Sequence, residues 1–237
     1  MINGLLLISL APVVIIAAYI NYRDKYEKEP HSILLKALFT GVIIILPVAI
    51  IEFILTLFSR ELEGVSGIAF TAFIIAGLTE EGMKYLAFYL IFWKDKNFNE
   101  KFDGIVYSVF IALGFAAVEN ILYVLTGGFG VGVLRALTAV PAHALFGIMM
   151  GYHFGLARFS RKYKSANLIL AFVLPFLAHG TYDFLLMGNI QILLTGFIPV
   201  FIYFWISGFN KISKLSNASV FKPEGKGEKN NSRPEKV

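Results

Sequence analysis

The feature that most restricts what this chain can fold into is a succession of apolar runs, each about as long as the 20 residues a helix needs to cross a hydrocarbon core roughly 30 Å thick. The runs occupy residues 2–22, 32–58, 67–93, 104–125, 132–157, 167–187 and 190–208. They predict an all-α fold, a polytopic membrane helix bundle of about seven transmembrane helices. A chain that is 57% hydrophobic and only 16% charged suits lipid as its solvent and has more apolar surface than a soluble domain can use.

The basic residues divide unevenly among the connections. Arg23, Lys25 and Lys28 follow the first run, Lys94, Lys96 and Lys101 the third, Arg158, Arg161, Lys162 and Lys164 the fifth, and Lys211 and Lys214 the last. The alternate connections hold almost none, Arg60 standing beside Glu61 and Glu63. The positive-inside rule therefore predicts an N-terminus outside and a cytoplasmic C-terminus. It also explains the net charge of +5 as a topology signal, so the bilayer is an expected partner and nucleic acid is not. Residues 1–10 carry no charge, so the first run reads as a retained anchor rather than a cleavable signal. Residues 1–210 are expected to form one transmembrane helical domain, and 211–237 a disordered basic cytoplasmic tail. The expected location is multi-pass in the cell membrane.

Charged side chains at the centre of a membrane helix cost several kcal/mol, so they face a bundle interior and mark function. Here they recur in four successive runs, as Glu80-Glu81-Gly82-Met83-Lys84, Phe115-Ala116-Ala117-Val118-Glu119-Asn120, His143-Ala144-Leu145-Phe146-Gly147 and His179-Gly180-Thr181-Tyr182-Asp183. At 1.5 Å per residue, Glu80 and His143 lie about 20 and about 17 Å below the outer ends of their helices, and Glu119 and His179 about 20 Å from the other side. With tilt, all of them can meet near the midplane. Glu80 and Lys84 are four apart, as are His179 and Asp183, so each pair shares a helix face. A single polar residue can be mere interhelical glue worth about 1 kcal/mol. Two adjacent carboxylates make poor glue, with Lys84 the natural neutralising partner.

The chain contains no cysteine, which removes disulfides, thiolate zinc sites and cysteine nucleophiles. Two routes to an activated water remain. In the first, His143, His179 and one or both of Glu81 and Glu119 hold Zn²⁺ while Glu80 takes the proton of its water. In the second, no metal is used: Glu80 and a histidine act as general base, and another histidine with a polar partner steadies the oxyanion. In either, Asp183 orients His179 from one turn away. Two readings from other classes use the same residues: a proton- or cation-coupled transporter, and a non-catalytic scaffold binding a partner's helix. A transporter favours an internal repeat and matching broken helices, and the sequence shows neither.

The segments EEGMK, FAAVEN, HALFG and HGTYD resemble the motifs EExxK, FxxxEN, HxxxG and HxxxD of the PrsW family, in the same order and on successive helices. Tyr26-Glu27-Lys28-Glu29-Pro30 resembles that family's first loop, so the similarity spans most of the chain except its tail. A more distant similarity links the paired glutamates and later histidines to the CAAX prenyl endopeptidases. The resemblance implies an intramembrane protease that makes the first, extracytoplasmic cut in a single-pass membrane protein, an anti-sigma factor, in a stress response. Catalytic roles then fall on Glu80, Glu81 and His179, with His143 and Glu119, and supporting roles on Lys84, Asn120 and Asp183.

Other signals carry less. Gly64-Val65-Ser66-Gly67 matches a rhomboid-like G-x-S-G pattern, but Ser66 lies at the start of its helix, about a dozen residues from the depth of His179. Gly147, Gly151 and Gly155 repeat every four residues and predict close helix packing beside His143. Gly127, Gly128, Gly130 and Gly132 predict a flexible outer turn, and Trp93 and Trp205 predict interfacial anchors.

Overall fold

Backbone amides and carbonyls in hydrocarbon have no water to bond, so each lipid-exposed segment must satisfy them internally, as a helix does. The computed structural model describes residues 2–188 and 191–223. Among them every regular element is helical: α1 (Ile2–Arg23), α2 (His31–Phe58), a short 3₁₀ turn (Ser59–Glu61), α3 (Gly64–Ala69), a π-helical segment (Phe70–Leu78), α4 (Thr79–Ile91), α5 (Lys101–Leu137), α6 (Ala139–Phe159), α7 (Lys164–Met187) and α8 (Gln191–Asn217). The segments Asn3–Arg23, His31–Phe58, Gly64–Ile91, Lys101–Phe159 and Lys164–Met187 are long and apolar enough to cross a membrane, and Lys101–Phe159 contains both α5 and α6. The protein is an all-α polytopic membrane bundle.

α5 is the axis of the bundle: every residue from Phe102 to Ala117 is buried. α6 runs antiparallel beside it, and the predicted glycine stripe is the seam. A Cβ at Gly147 would meet Ser108 O and Val109 Cα, both at 3.0 Å, while Gly151 lies on the backbone of Gly104 and Gly155 on that of Lys101. On the other flank Gly41 of α2 packs on Ile111, and Gly114 of α5 packs on Leu38. These backbone approaches bring the helices carrying Glu119 and His143 as close as helices can come.

The structure departs from the sequence expectations in three places that matter. The third run is not one α-helix, because the nine π-helical residues Phe70–Leu78 precede α4. A π-turn takes more residues per turn than an α-turn and so resets which side chains face inward. Downstream of it, adjacent Glu80 and Glu81 are both buried, at 5% and 0% exposure.

The predicted outer turn is present as a sharp reversal at Gly128 (φ 78°, ψ −169°), a conformation open in practice only to glycine, but the run expected to follow it as one helix breaks again at Thr138 (φ −123°, ψ −67°) before α6. After Gly128 the chain doubles back: a Cβ at Gly132 would fall 2.8 Å from Ile8 and 3.3 Å from Val124. The third departure concerns Trp93. It is buried and stacked on Tyr89 with ring centroids 5.6 Å apart, a core residue rather than a lipid-facing anchor.

At the far end of the chain α8 continues to Asn217, so the first residues of the expected tail are helical. Ser216 Oγ donates to the carbonyl of Arg23 at 2.9 Å, tying α8 to the end of α1. Residues 189 and 190 and the remainder of the expected tail from 224 lie outside the described residues.

Candidate active site

α4 supplies Glu80, Glu81 and Lys84 from successive turns, so one ammonium can reach both acids. Lys84 Nζ donates to Glu80 Oε2 at 3.0 Å and to Glu81 Oε1 at 2.8 Å. The same nitrogen lies 3.3 Å from His143 Nδ1 of α6 and 4.3 Å from the centre of the Phe115 ring. The Lys84 side chain is 2% exposed, and those of Glu80 and Glu81 are 6% and 1% exposed. A charged trio this deep holds together only because each member is compensated by the others.

α7 brings His179 to the opposite side of the acids. Its Nδ1 is 3.0 Å from Glu81 Oε1 and 4.0 Å from Glu80 Oε2, and its Nε2 is 3.4 Å from Asp183 Oδ2. Asp183, one turn along, thus orients the ring as its spacing predicted. Phe146 stacks on the imidazole with centroids 4.9 Å apart and closes its other face. The two histidine rings stand perpendicular, 5.4 Å apart.

His143 completes the set from α6. Its Nδ1 points toward Lys84 and lies 3.9 Å from Glu80 Oε2, and its Nε2 sits 2.8 Å from Glu119 Oε2. An Nε2–H donated to Glu119 leaves the Nδ1 lone pair turned to the cluster, so Glu119 fixes the tautomer. One ligand atom from each of Glu80, Glu81, His143 and His179 lies within 4.8 Å of the others. Glu119, counted among the candidate ligands on sequence grounds, stands instead behind His143.

Two members of the site were not singled out from sequence. Arg135 lies beyond the Gly128 reversal, which folds it back beside the part of α5 that precedes the reversal: its Nη2 donates to Glu119 Oε2 and its Nε to Asn120 Oδ1, each at 2.9 Å. Asn120 in turn donates to the carbonyl of Ser9 at 2.9 Å, anchoring the pair to α1. Glu52 of α2 faces the same cavity. The signal for both was present, since each is a charge inside an apolar run. Ser66 is exposed and bonded to the carbonyl of Glu63, far from this chemistry.

The cavity that these groups share has a volume of about 570 Å³. Glu80, Glu119, His143, His179 and Asp183 line it, and Lys84 and Glu81 are bonded to Glu80 and His179 among these.

A polytopic bundle with buried carboxylates, imidazoles and a lysine gathered around an internal cavity has the architecture of an enzyme that works inside the bilayer. The chain belongs to the PrsW family of intramembrane proteases: the family model described as "PrsW family intramembrane metalloprotease" matches residues 29–207. Proteins named Protease PrsW are similar over most of their length. That of Geobacillus kaustophilus is 40% identical over 181 residues, 76% of this chain and 78% of the relative. Those of Oceanobacillus iheyensis and Bacillus subtilis are 36% and 34% identical over 213 residues, 89% of this chain and 95% of each relative. No solved structure matches the chain.

Proposed function

We propose that this protein hydrolyses a peptide bond of a single-pass membrane protein, within or just above the outer half of the cell membrane, with Glu80 as the base that activates water. The observation that carries this reading is the division of the acidic pair: Glu80 lines the cavity where substrate and water would meet, whereas Glu81, wholly buried, is bonded to Lys84 and His179. Glu80 takes a proton as the water oxygen adds to the substrate carbonyl carbon. His143 and His179 line the same cavity beside the reacting carbonyl, their ring nitrogens held by Lys84 and Glu119 and by Glu81 and Asp183. The proton then passes from Glu80 to the amide nitrogen as the C–N bond breaks, which leaves an amine and a carboxylic acid that ionises on release. Lys84 holds the acids in register, and the Arg135–Glu119 pair holds His143.

The donor set fits a zinc ion. Glu81, His143 and His179 converge with Glu80 beside them as the base, and Glu81 Oε2 is buried with no hydrogen-bond partner among the described residues. When bound there, zinc would supply a water acidic enough to ionise near neutral pH and a Lewis acid for the carbonyl. His143 would offer Nδ1 and His179 its Nδ1, their other nitrogens being held by Glu119 and Asp183.

The substrate we propose is an anti-sigma factor, cut first on its extracytoplasmic side. The test is co-expression with a tagged single-pass substrate of that kind, comparing wild type with Glu80→Gln, Glu81→Gln and His179→Ala. Processing is expected in the wild type alone; cleavage persisting in all three variants would overturn the assignment of the site.

A further inference from the structure

At the opposite end of the bundle from the Gly128 reversal, a second set of carboxylates converges that the peptidase chemistry does not use. The α1–α2 connection contributes Asp24, Glu27 and Glu29, and the start of α5 contributes Glu100 and Asp103. One oxygen each from Glu27, Glu29 and Asp103 lies within 4.8 Å of the others, with Glu29 and Asp103 only 4% and 0% exposed. Asp24 and Glu100 flank them at 1% and 3% exposure.

Part of this arrangement is accounted for locally. Asp103 is the capping-box residue of α5, its Oδ2 accepting from the amides of Glu100 at 2.7 Å and Asn99 at 2.9 Å. Tyr107 donates to Glu29 Oε2 at 2.7 Å, Asn99 donates to Glu27 Oε1 at 2.9 Å, and the amide of Glu29 donates to Asp24 Oδ2 at 3.0 Å.

The rest is not. Asp24 Oδ1, Glu27 Oε2, Glu100 Oε2 and Asp103 Oδ1 are buried and accept no hydrogen bond among the described residues. Asp103 is the sharpest case, a wholly buried side chain whose Oδ2 is occupied by backbone and whose Oδ1 is left for the cluster. No described Lys or Arg forms an ion pair with any of these acids; Lys28, between Glu27 and Glu29 in the chain, donates instead to the carbonyl of Asn21 at 2.7 Å. Buried carboxylates without a partner are costly, and a proton shared between Glu29 and Asp103 would satisfy only one pair.

We propose that Glu27, Glu29 and Asp103, flanked by Asp24 and Glu100, form a binding site for a hard divalent cation, Ca²⁺ in the first instance, that clamps the α1–α2 connection to the start of α5. Donors that are all oxygen suit Ca²⁺, Mg²⁺ or Mn²⁺ rather than zinc. Three carboxylates flanked by two more suit Ca²⁺, which takes six to eight oxygens in a flexible shell, better than Mg²⁺, which keeps most of its waters and is held by one or two carboxylates. The site is separate in donors and in place from the histidine-bearing cluster, and it stands whether or not that cluster is catalytic.

The experiment uses the full chain purified in detergent, stripped with chelator and titrated with Ca²⁺, Mg²⁺ or Mn²⁺ while the melting temperature is followed. Tb³⁺ serves as a luminescent Ca²⁺ surrogate, sensitised by Tyr107 against Glu29. Ca²⁺ is expected to raise Tm by about 5 °C at saturation. Glu27→Gln, at a half-buried position that tolerates change, and Asp103→Asn should each weaken Tb³⁺ and Ca²⁺ binding by about tenfold or more. Glu81→Gln should leave that binding unchanged. No response to any of the three ions up to about 10 mM overturns the proposal, the weakest known sites lying near millimolar. So does equal Tb³⁺ binding by wild type, Glu27→Gln and Asp103→Asn. A stripped Asp103→Asn protein that melts above the stripped wild type, with no ion response in either, would mean a shared proton instead of a cation.

Discussion

Lys84→Met removes the one ammonium that Glu80 and Glu81 share. Its Nζ lies 3.0 and 2.8 Å from the two carboxylates, and at an effective dielectric of about 20 each contact contributes about 6 kcal/mol of attraction. Much of that is offset by desolvation, and the net effect of deleting one partner from a buried ion pair is about 3–5 kcal/mol. For a chain of this length that corresponds to a fall in Tm of about 10 °C. The origin of the loss is specific: two carboxylates left facing each other. Replacing one of them should therefore relieve it, and Lys84→Met/Glu80→Gln should melt above Lys84→Met by several degrees. Zinc should also rescue Lys84→Met if the cluster binds it, since a dication supplies the missing positive charge. Thermal unfolding in detergent of the two single variants, the double variant and the wild type completes the cycle. A Lys84→Met protein melting within about 2 °C of wild type, with no coupling to Glu80, would refute the electrostatic account of the site.

Further outcomes follow from neighbouring contacts. Arg135→Leu should lower kcat by about 10–100-fold with little change in KM, because Glu119 then loses the group that holds it against His143, and Arg135→Lys should recover part of the loss; cleavage kinetics on a tagged substrate decide it. Gly151→Val should cost at least about 1–3 kcal/mol, since its Cβ falls 2.6 Å from Ile105 Cα and forces α5 and α6 apart. The same strain should stretch the 2.8 Å His143–Glu119 contact, so Tm and activity fall together. A chelator that strips zinc should abolish turnover, with zinc restoring it; undiminished turnover in metal-free enzyme would favour the route in which Glu80 acts with a histidine alone.

Much of the site was legible along the chain because burying charge in lipid is so costly that an ionisable residue within an apolar run is informative by itself. Glu80, Glu81, His143 and His179 stand out on that ground, and helical rise alone places them at one depth. Spacing by four predicted the Lys84–Glu80 and His179–Asp183 pairs, because those contacts lie within a single helix. The glycine stripe of α6 was legible for the same local reason.

What the chain alone did not reveal depends on where helices reverse and how they are rotated. Averaged hydropathy joins the two sides of Gly128 into outer turn and helix, whereas one glycine at φ 78° folds the segment back and delivers Arg135 to Glu119. The π-helical turn before α4, after which Glu80 lines the cavity and Glu81 is wholly buried, likewise has no signature in apolar content. Nor does the meeting of Glu29 with Asp103, separated by most of three helices. The sequence by itself determined the helices, their approximate spans and the residues too polar for lipid. Only the tertiary structure decided which of those residues touch, because contacts between helices depend on rotation and reversal at single positions that a one-dimensional pattern averages away.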